Sequence, residues 1–248
     1  MSAGEAALLV LAGVGAGLTG SIAGLASLVS YPALLATGLS PLAANVTNTV
    51  ALFGNSVGTT IGSRRELTGQ WPRIRALMLL CAIGGALGAV LLLVTDESVF
   101  EAVVPWLIAL GSVLLLARDR LRAWSATRRT TPPAWRGRLV VVGVGVYGGY
   151  FGAASGIIML AVLALRTSEP LAVTNAVKNV ATSTANLVAA LAYVVLAPVH
   201  WPSVAALAAG ALVGGWIGPQ VVRVLPERPL RWAVGAAGLG LAAALLVG

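Results

Sequence analysis

A single shift of 130 positions runs through this 248-residue chain without a gap. It places Asn45 on Asn175, Asn48 on Lys178, Thr49 on Asn179 and Ser56 on Asn186. Further on it places Trp71-Pro72 on Trp201-Pro202, Gly84-Gly85 with Gly88 on Gly214-Gly215 with Gly218, and Glu97 on Glu227. Coincidence is easy in a chain rich in Ala, Gly, Val and Leu, but paired Trp-Pro steps are not matches of that kind. The chain is read as a duplicated unit, so its fold must be built twice. Internal duplication of this sort is the signature of secondary transporter folds.

Composition sets the solvent in which the two units fold. Apolar residues make up 58% and charged residues only 10%, with a mean hydropathy of +0.92, where a soluble domain carries about a quarter charged residues. An all-α, polytopic membrane protein follows, with the lipid bilayer as its first partner. The net charge of +8 does not point to nucleic acid, because the arginines lie in short loops flanking apolar segments, where the positive-inside bias puts them. One cysteine, Cys81, excludes both an intramolecular disulfide and a thiol relay. The start, MSAGEAALLV, has Glu5 and no basic run before its apolar stretch, and is read as retained rather than as a cleaved leader.

The segments divide the chain into a first transmembrane repeat at 1–117, a basic cytoplasmic linker at 118–138 and a second repeat at 139–248. Each repeat opens on a long glycine-rich stretch. Residues 4–36 as one helix would approach 50 Å at about 1.5 Å per residue, against a hydrocarbon core of about 30 Å, so the stretch must break. The run Gly13 to Gly24 and Pro32 are the candidate breaks, with Gly148-Gly149 and Gly152 to Gly156 as counterparts. Non-helical backbone at membrane depth is tolerated only where it is buried or lines a cavity. Then come a helix from Pro41 to Gly62, spans at 76–94 and 99–117, and in the second repeat a helix at 171–197 and spans at 203–222 and 232–248.

Loop charge orients the repeats. The first has a basic loop at 64–75 and an acidic turn at 96–98, whereas the equivalent loops of the second are neutral at 198–202 and basic at 223–231. The swap in polarity predicts two homologous four-segment units in opposite orientations, an inverted repeat. Inversion needs an odd number of crossings per unit, which follows if each glycine-broken first segment turns back on itself. Eight simple spans in a parallel repeat are the alternative arrangement.

Lys178, the one lysine of the chain, lies well inside the apolar segment 171–197. An ionisable group at the centre of a membrane helix costs about 2.5–3.5 kcal/mol on insertion scales and marks a functional site by default. Asn175, Asn179, Thr182 and Asn186 recur with it at spacings of three and four, on one helix face. With no acidic residue near it in sequence, this wall suits an anion, and broken helices add backbone N–H donors at positive dipole ends. The candidate binding set is Lys178, Asn175 and Asn179 from the second repeat, Asn45, Asn48 and Thr49 from the first, and Ser21 and Ser155 beside the glycine breaks. Each Asn or Thr has an equal claim as a hydrogen bond between packed helices.

In order along the chain, GSIAGLASLVSYPALL, SPLAANVTNTVALF, a basic loop ending in Trp-Pro, GGALGA, then GGYFGAASGIIML, EPLAVTNAVKNVATS, HWPSV and GGWIG resemble the sulfite exporter TauE/SafE family of anion permeases. The glycine clusters at Gly20 to Gly24 and around Ala153-Ala154-Ser155 are thinner than the family's usual pattern. The resemblance implies transport of small sulfur-containing anions, such as sulfite or organosulfonates, across a bacterial inner membrane. The Asn side chains named above would then meet sulfonate oxygens.

Export suits the energetics: with the cytoplasm negative, moving one negative charge outward gains about 2.3 kcal/mol per 100 mV. All eight acidic residues lie at or near segment ends, so neither a coupling carboxylate nor a cofactor is expected. An intramembrane hydrolase would need a Ser-His pair, paired aspartates or a metal cluster inside the membrane, and the one histidine, His200, sits in a short turn. The chain is therefore not read as an enzyme. A channel, or a permease for a carboxylate, stays open as an alternative. The glycine faces at Gly84, Gly85 and Gly88 and at Gly210, Gly214 and Gly218 serve close helix packing and are compatible with a homodimer.

Overall fold

The computed structural model describes residues 1–117, 119–120, 133–164, 169–221 and 227–247, and all regular structure among them is helical. The first unit contains α1 (Ala3–Ala23), α2 (Ala26–Ala36), α3 (Pro41–Ala51), α4 (Phe53–Gly62), the short α5 (Arg64–Leu67), α6 (Trp71–Leu93) and α7 (Glu97–Leu116). The second contains α8 (Ala134–Tyr150), α9 (Ser155–Ala164), α10 (Leu171–Leu196), α11 (Trp201–Val221) and α12 (Glu227–Val247). Five of these, α1, α6, α7, α10 and α11, are long and apolar enough to cross a membrane.

Local chemistry places the ends. Ser2 and Glu5 form a reciprocal capping box at the start of α1, which satisfies two N–H groups that the first turn cannot. Ser40 caps α3 through the Ala43 N–H, with Pro41 in the first turn, where its missing N–H costs nothing. The helix expected over 41–62 is interrupted only at Leu52, the residue between α3 and α4. Two boundaries differ from expectation. α6 begins at Trp71 rather than 76, and α12 at Glu227 rather than 232, since arginine is a good helix former and does not end a helix. Most of the expected linker, 118 and 121–132, lies outside the described residues, and its end from Ala134 is already the first turn of α8.

The long opening stretch breaks at Gly24-Leu25, and α2 folds back along α1. A methyl group on Gly20 would come within 2.8 Å of the Ala26 Cβ, and one on Gly15 within 3.3 Å of a Val29 methyl. Pro32 is carried inside α2 and is not the break.

The helix packing repeats under the 130-residue shift. α1 packs chiefly on α11, and its counterpart α8 on α6; α4 packs on α11, and the matching half of α10 on α6; α7 packs on α12. Glycines set the distance. A Cβ on Gly13 would lie 3.0 Å from the Gly210 Cα, and one on Gly17 would lie 2.5 Å from the Gly215 N, so α1 and α11 run side by side in one direction. In the same way Gly84 meets Gly145 at 2.8 Å and Gly88 meets Gly149 at 3.0 Å, which aligns α6 with α8. With no water to drive apolar association inside a bilayer, backbones brought this close gain dispersion contacts instead.

Candidate functional site

The two breaks come together. α1 ends because Gly24 takes φ +76°, with its N–H returning to the Gly20 carbonyl at 2.8 Å. α8 ends at Tyr150: the N–H groups of Phe151 and Gly152 both reach the Tyr147 carbonyl at 3.0 Å, and Gly152 takes φ +78°. Ala154, the position that the shift of 130 pairs with Gly24, has φ +61° and is the one non-glycine residue with positive φ among the described residues. A methyl on Gly24 would meet the Gly156 Cα at 2.6 Å, and one on Gly156 the Gly24 Cα at 2.6 Å. The hairpins cross in backbone contact. Tyr31 of α2 stacks edge-on against Phe151, ring centroids 5.4 Å apart, and fastens one hairpin to the other.

Broken helices leave carbonyl groups without an intrahelical partner, and inside a membrane these must be satisfied by protein. Each unit supplies the amide that does this for the other. Asn45 Nδ2 donates to the Tyr150 carbonyl at 2.9 Å, while Asn175 Nδ2 and Asn179 Nδ2 donate to the Ser21 carbonyl at 2.8 and 3.1 Å.

Beside the crossing lies a small polar cavity that opens to solvent. From the first unit it is lined by Gly20 and Gly24 at the break, Ala26 and Ser27 in the first turn of α2, and Asn55, Ser56 and Thr59 of α4. From the second come Ser155 and Gly156 at the start of α9, and Asn179, Thr182, Ser183 and Asn186 of α10. None of the described lining residues is charged. The first turn of α2 has no side-chain cap, and with the Leu28 N–H returned to the Leu25 carbonyl at 3.1 Å the N–H groups of Ala26 and Ser27 and the positive dipole end are left to a negative ligand.

Of the eight residues singled out from sequence, Ser155 and Asn179 line this cavity. Asn45 and Asn175 cap the breaks. Asn48 ties α3 to α2, donating to Ser27 Oγ at 3.1 Å and accepting from Ser30 Oγ. Thr49 donates its hydroxyl to the Asn45 carbonyl at 3.0 Å, and Ser21 Oγ donates to Leu18 O at 3.0 Å, each within its own helix. Ser21 enters the site through its carbonyl instead. Lys178 is fully buried, 0% exposed, one helical turn from Thr182, whose hydroxyl donates to the Lys178 carbonyl at 3.0 Å. Its side chain is not among those lining the cavity. Asn55, Ser56, Thr59, Thr182, Ser183 and Asn186 also line the cavity and lie outside the candidate binding set. The signal for them was the continuation of the polar stripe along α10 and the pairing of Ser56 with Asn186 under the shift. His200 shares a 2.8 Å hydrogen bond with Ser203 at the start of α11, away from the cavity.

A duplicated helical bundle with two broken hairpins crossing at a polar cavity is an arrangement for passing a solute. The family model for sulfite exporter TauE/SafE matches residues 9–245. The chain belongs to the sulfite exporter TauE/SafE family. Among curated relatives, a "Probable membrane transporter protein" of Haemophilus influenzae is 28% identical over 218 residues, 87% of this chain and 84% of that one. The "Probable membrane transporter protein YfcA" of Escherichia coli K12 is 26% identical over 217 residues, 87% of this chain and 80% of that one. The "Probable membrane transporter protein ORF9" of a Sinorhizobium species is 31% identical over 154 residues, 60% of this chain. No solved structure matches. As a TauE/SafE member this chain is a multi-pass membrane transporter and not an enzyme.

Proposed function

We propose that this transporter carries small sulfur-containing anions, sulfite or organosulfonates, out of the cytoplasm of a bacterium through its inner membrane. The observation that carries the reading is the cavity at the crossing of the two breaks, lined by amides, hydroxyls and the uncapped start of α2, with Lys178 one turn away. Amides and N-terminal N–H groups match the oxygens of a sulfonate, and a buried cation biases the local potential toward anions.

The shared direction of α1, α4 and α11, set against that of α6 and α8, supports an inverted repeat, because α4 and α6 are joined by only the short segment 63–70 and so run opposite ways. In that orientation α4 leads from the cavity through Thr59 to Arg64 and Arg65, which the positive-inside rule puts in the cytoplasm. An anion loaded from that side leaves down the membrane potential without a coupling ion.

Purified protein is to be melted against sulfite, methanesulfonate, taurine, sulfate and lactate, since a ligand of the folded state raises the melting temperature by mass action. Stabilisation by a sulfur anion, lost in Lys178→Ala, supports the proposal. A response to lactate alone moves the substrate class to carboxylates.

A further inference from the structure

We infer that the cavity selects singly charged oxyanions and rejects doubly charged ones of the same shape; this rests on the anion-site reading above. The described lining is neutral throughout, so a bound anion is held by hydrogen bonds and helix-end dipoles, whose attraction grows in proportion to its charge. The cost of taking an ion out of water grows as the square of its charge. A dianion is balanced only where donors or cations are added to match.

Here the donors are few, because much of the polar lining spends its protons inside the protein. Ser56 Oγ donates to Leu52 O at 3.2 Å, Thr59 Oγ1 to Asn55 O at 2.9 Å and Thr182 Oγ1 to Lys178 O at 3.0 Å, all back along their own helices. Asn179 Nδ2 gives one of its two N–H groups to the Ser21 carbonyl. Among the described lining residues, Asn55, Ser155, Ser183 and Asn186 make no side-chain hydrogen bond, and the Ser27 hydroxyl only accepts one, from Asn48. The Asn55 Oδ1 is buried without a partner, which leaves the amide N–H as that residue's contribution to an anion. Two amides and three hydroxyls, helped by one helix start, suit the oxygens of a sulfonate and bring no positive charge to offset the second charge of a sulfate. Lys178, the one lysine of the chain, stands outside the lining.

The test compares the dissociation constants of dimethyl sulfone, methanesulfonate and sulfate for the detergent-purified transporter at one pH and one ionic strength, measured by thermal stabilisation. The three are close in shape and carry no charge, one and two. Methanesulfonate is expected to bind at least about tenfold more tightly than either of the others. Asn186→Lys, which adds a cation to the lining, is expected to narrow the gap to sulfate. Sulfate binding as tightly as methanesulfonate in the unaltered protein overturns the charge selection and leaves the anion site standing. Silence from both anions overturns the anion site and the selection with it.

Discussion

Asn45 on α3 donates its side-chain amide to the carbonyl of Tyr150, the last residue of α8, across 2.9 Å and 105 positions of sequence. Asn175, its counterpart under the 130-residue shift, does the same for the Ser21 carbonyl near the end of α1 at 2.8 Å. Neither unit can satisfy its own break. A buried polar group left without a partner costs about 1–3 kcal/mol, so the duplicated halves are bound together at the point where the backbone is irregular.

Removing one cap should therefore cost more than removing one of two. Asn45→Ala leaves the Tyr150 carbonyl without its amide donor and is expected to destabilise the protein by about 1–3 kcal/mol. Asn175→Ala is expected to cost less, because Asn179 also reaches the Ser21 carbonyl. The Asn175→Ala, Asn179→Ala double variant should fall at least as far as Asn45→Ala. Denaturation midpoints of the purified proteins give the order, and Asn175→Ala costing more than Asn45→Ala would contradict it.

Ala154 sits at φ +61°, where a side chain costs about 1–2 kcal/mol. Ala154→Gly removes that strain and loses about 0.5–1 kcal/mol to the freer unfolded chain. It is expected to be neutral or to stabilise by up to about 1 kcal/mol. Gly24→Ala has the opposite sign for two reasons, its φ of +76° and a new methyl 2.6 Å from the Gly156 Cα. Melting curves should therefore separate the two changes at equivalent positions, one holding or rising and the other falling with loss of folded yield.

Much of this architecture was legible because it follows from length and repetition. A glycine-rich stretch too long for one span had to break, and the shift of 130 foretold which helices would be equivalent. The choice between Pro32 and Gly24 as the break was not legible, since proline inside a helix is survivable where a neighbouring turn takes up the slack. Lys178 is the most conspicuous residue in the sequence, whereas the cavity wall is made of ordinary residues such as Asn55 and Ser183. Nothing in one-dimensional spacing separates Asn48, which ties two helices, from Asn55, which faces the cavity. Both are amides on the 41–62 stretch, and only the tertiary contacts of α2 and α11 assign them.

Lys178 tests the source of positive charge. Lys178→Gln removes the charge and keeps most of the volume, and is expected to weaken methanesulfonate binding by about tenfold or more. Lys178→Arg keeps the charge in a bulkier, planar group and should retain more binding than Gln if charge is what matters. Equal losses in the two variants, with normal melting temperatures, would assign the residue to shape rather than to potential.

Asn55 offers the sharpest change of sign. Its side chain lies between two glycines: a methyl on Gly20 would meet Nδ2 at 2.9 Å, and one on Gly215 would meet Oδ1 at 2.8 Å. The site admits no larger residue, but Asn55→Asp is close to isosteric and replaces an N–H donor with a negatively charged oxygen. Two like charges about 4 Å apart at an effective dielectric near 20 repel by about 4 kcal/mol, so methanesulfonate affinity should fall by well over tenfold. Asn55→Ala, which only removes the donor, should fall less. The two dissociation constants, measured on proteins that melt within a few degrees of the parent, decide the matter: Asp binding as well as Ala would mean that no anion passes within reach of α4.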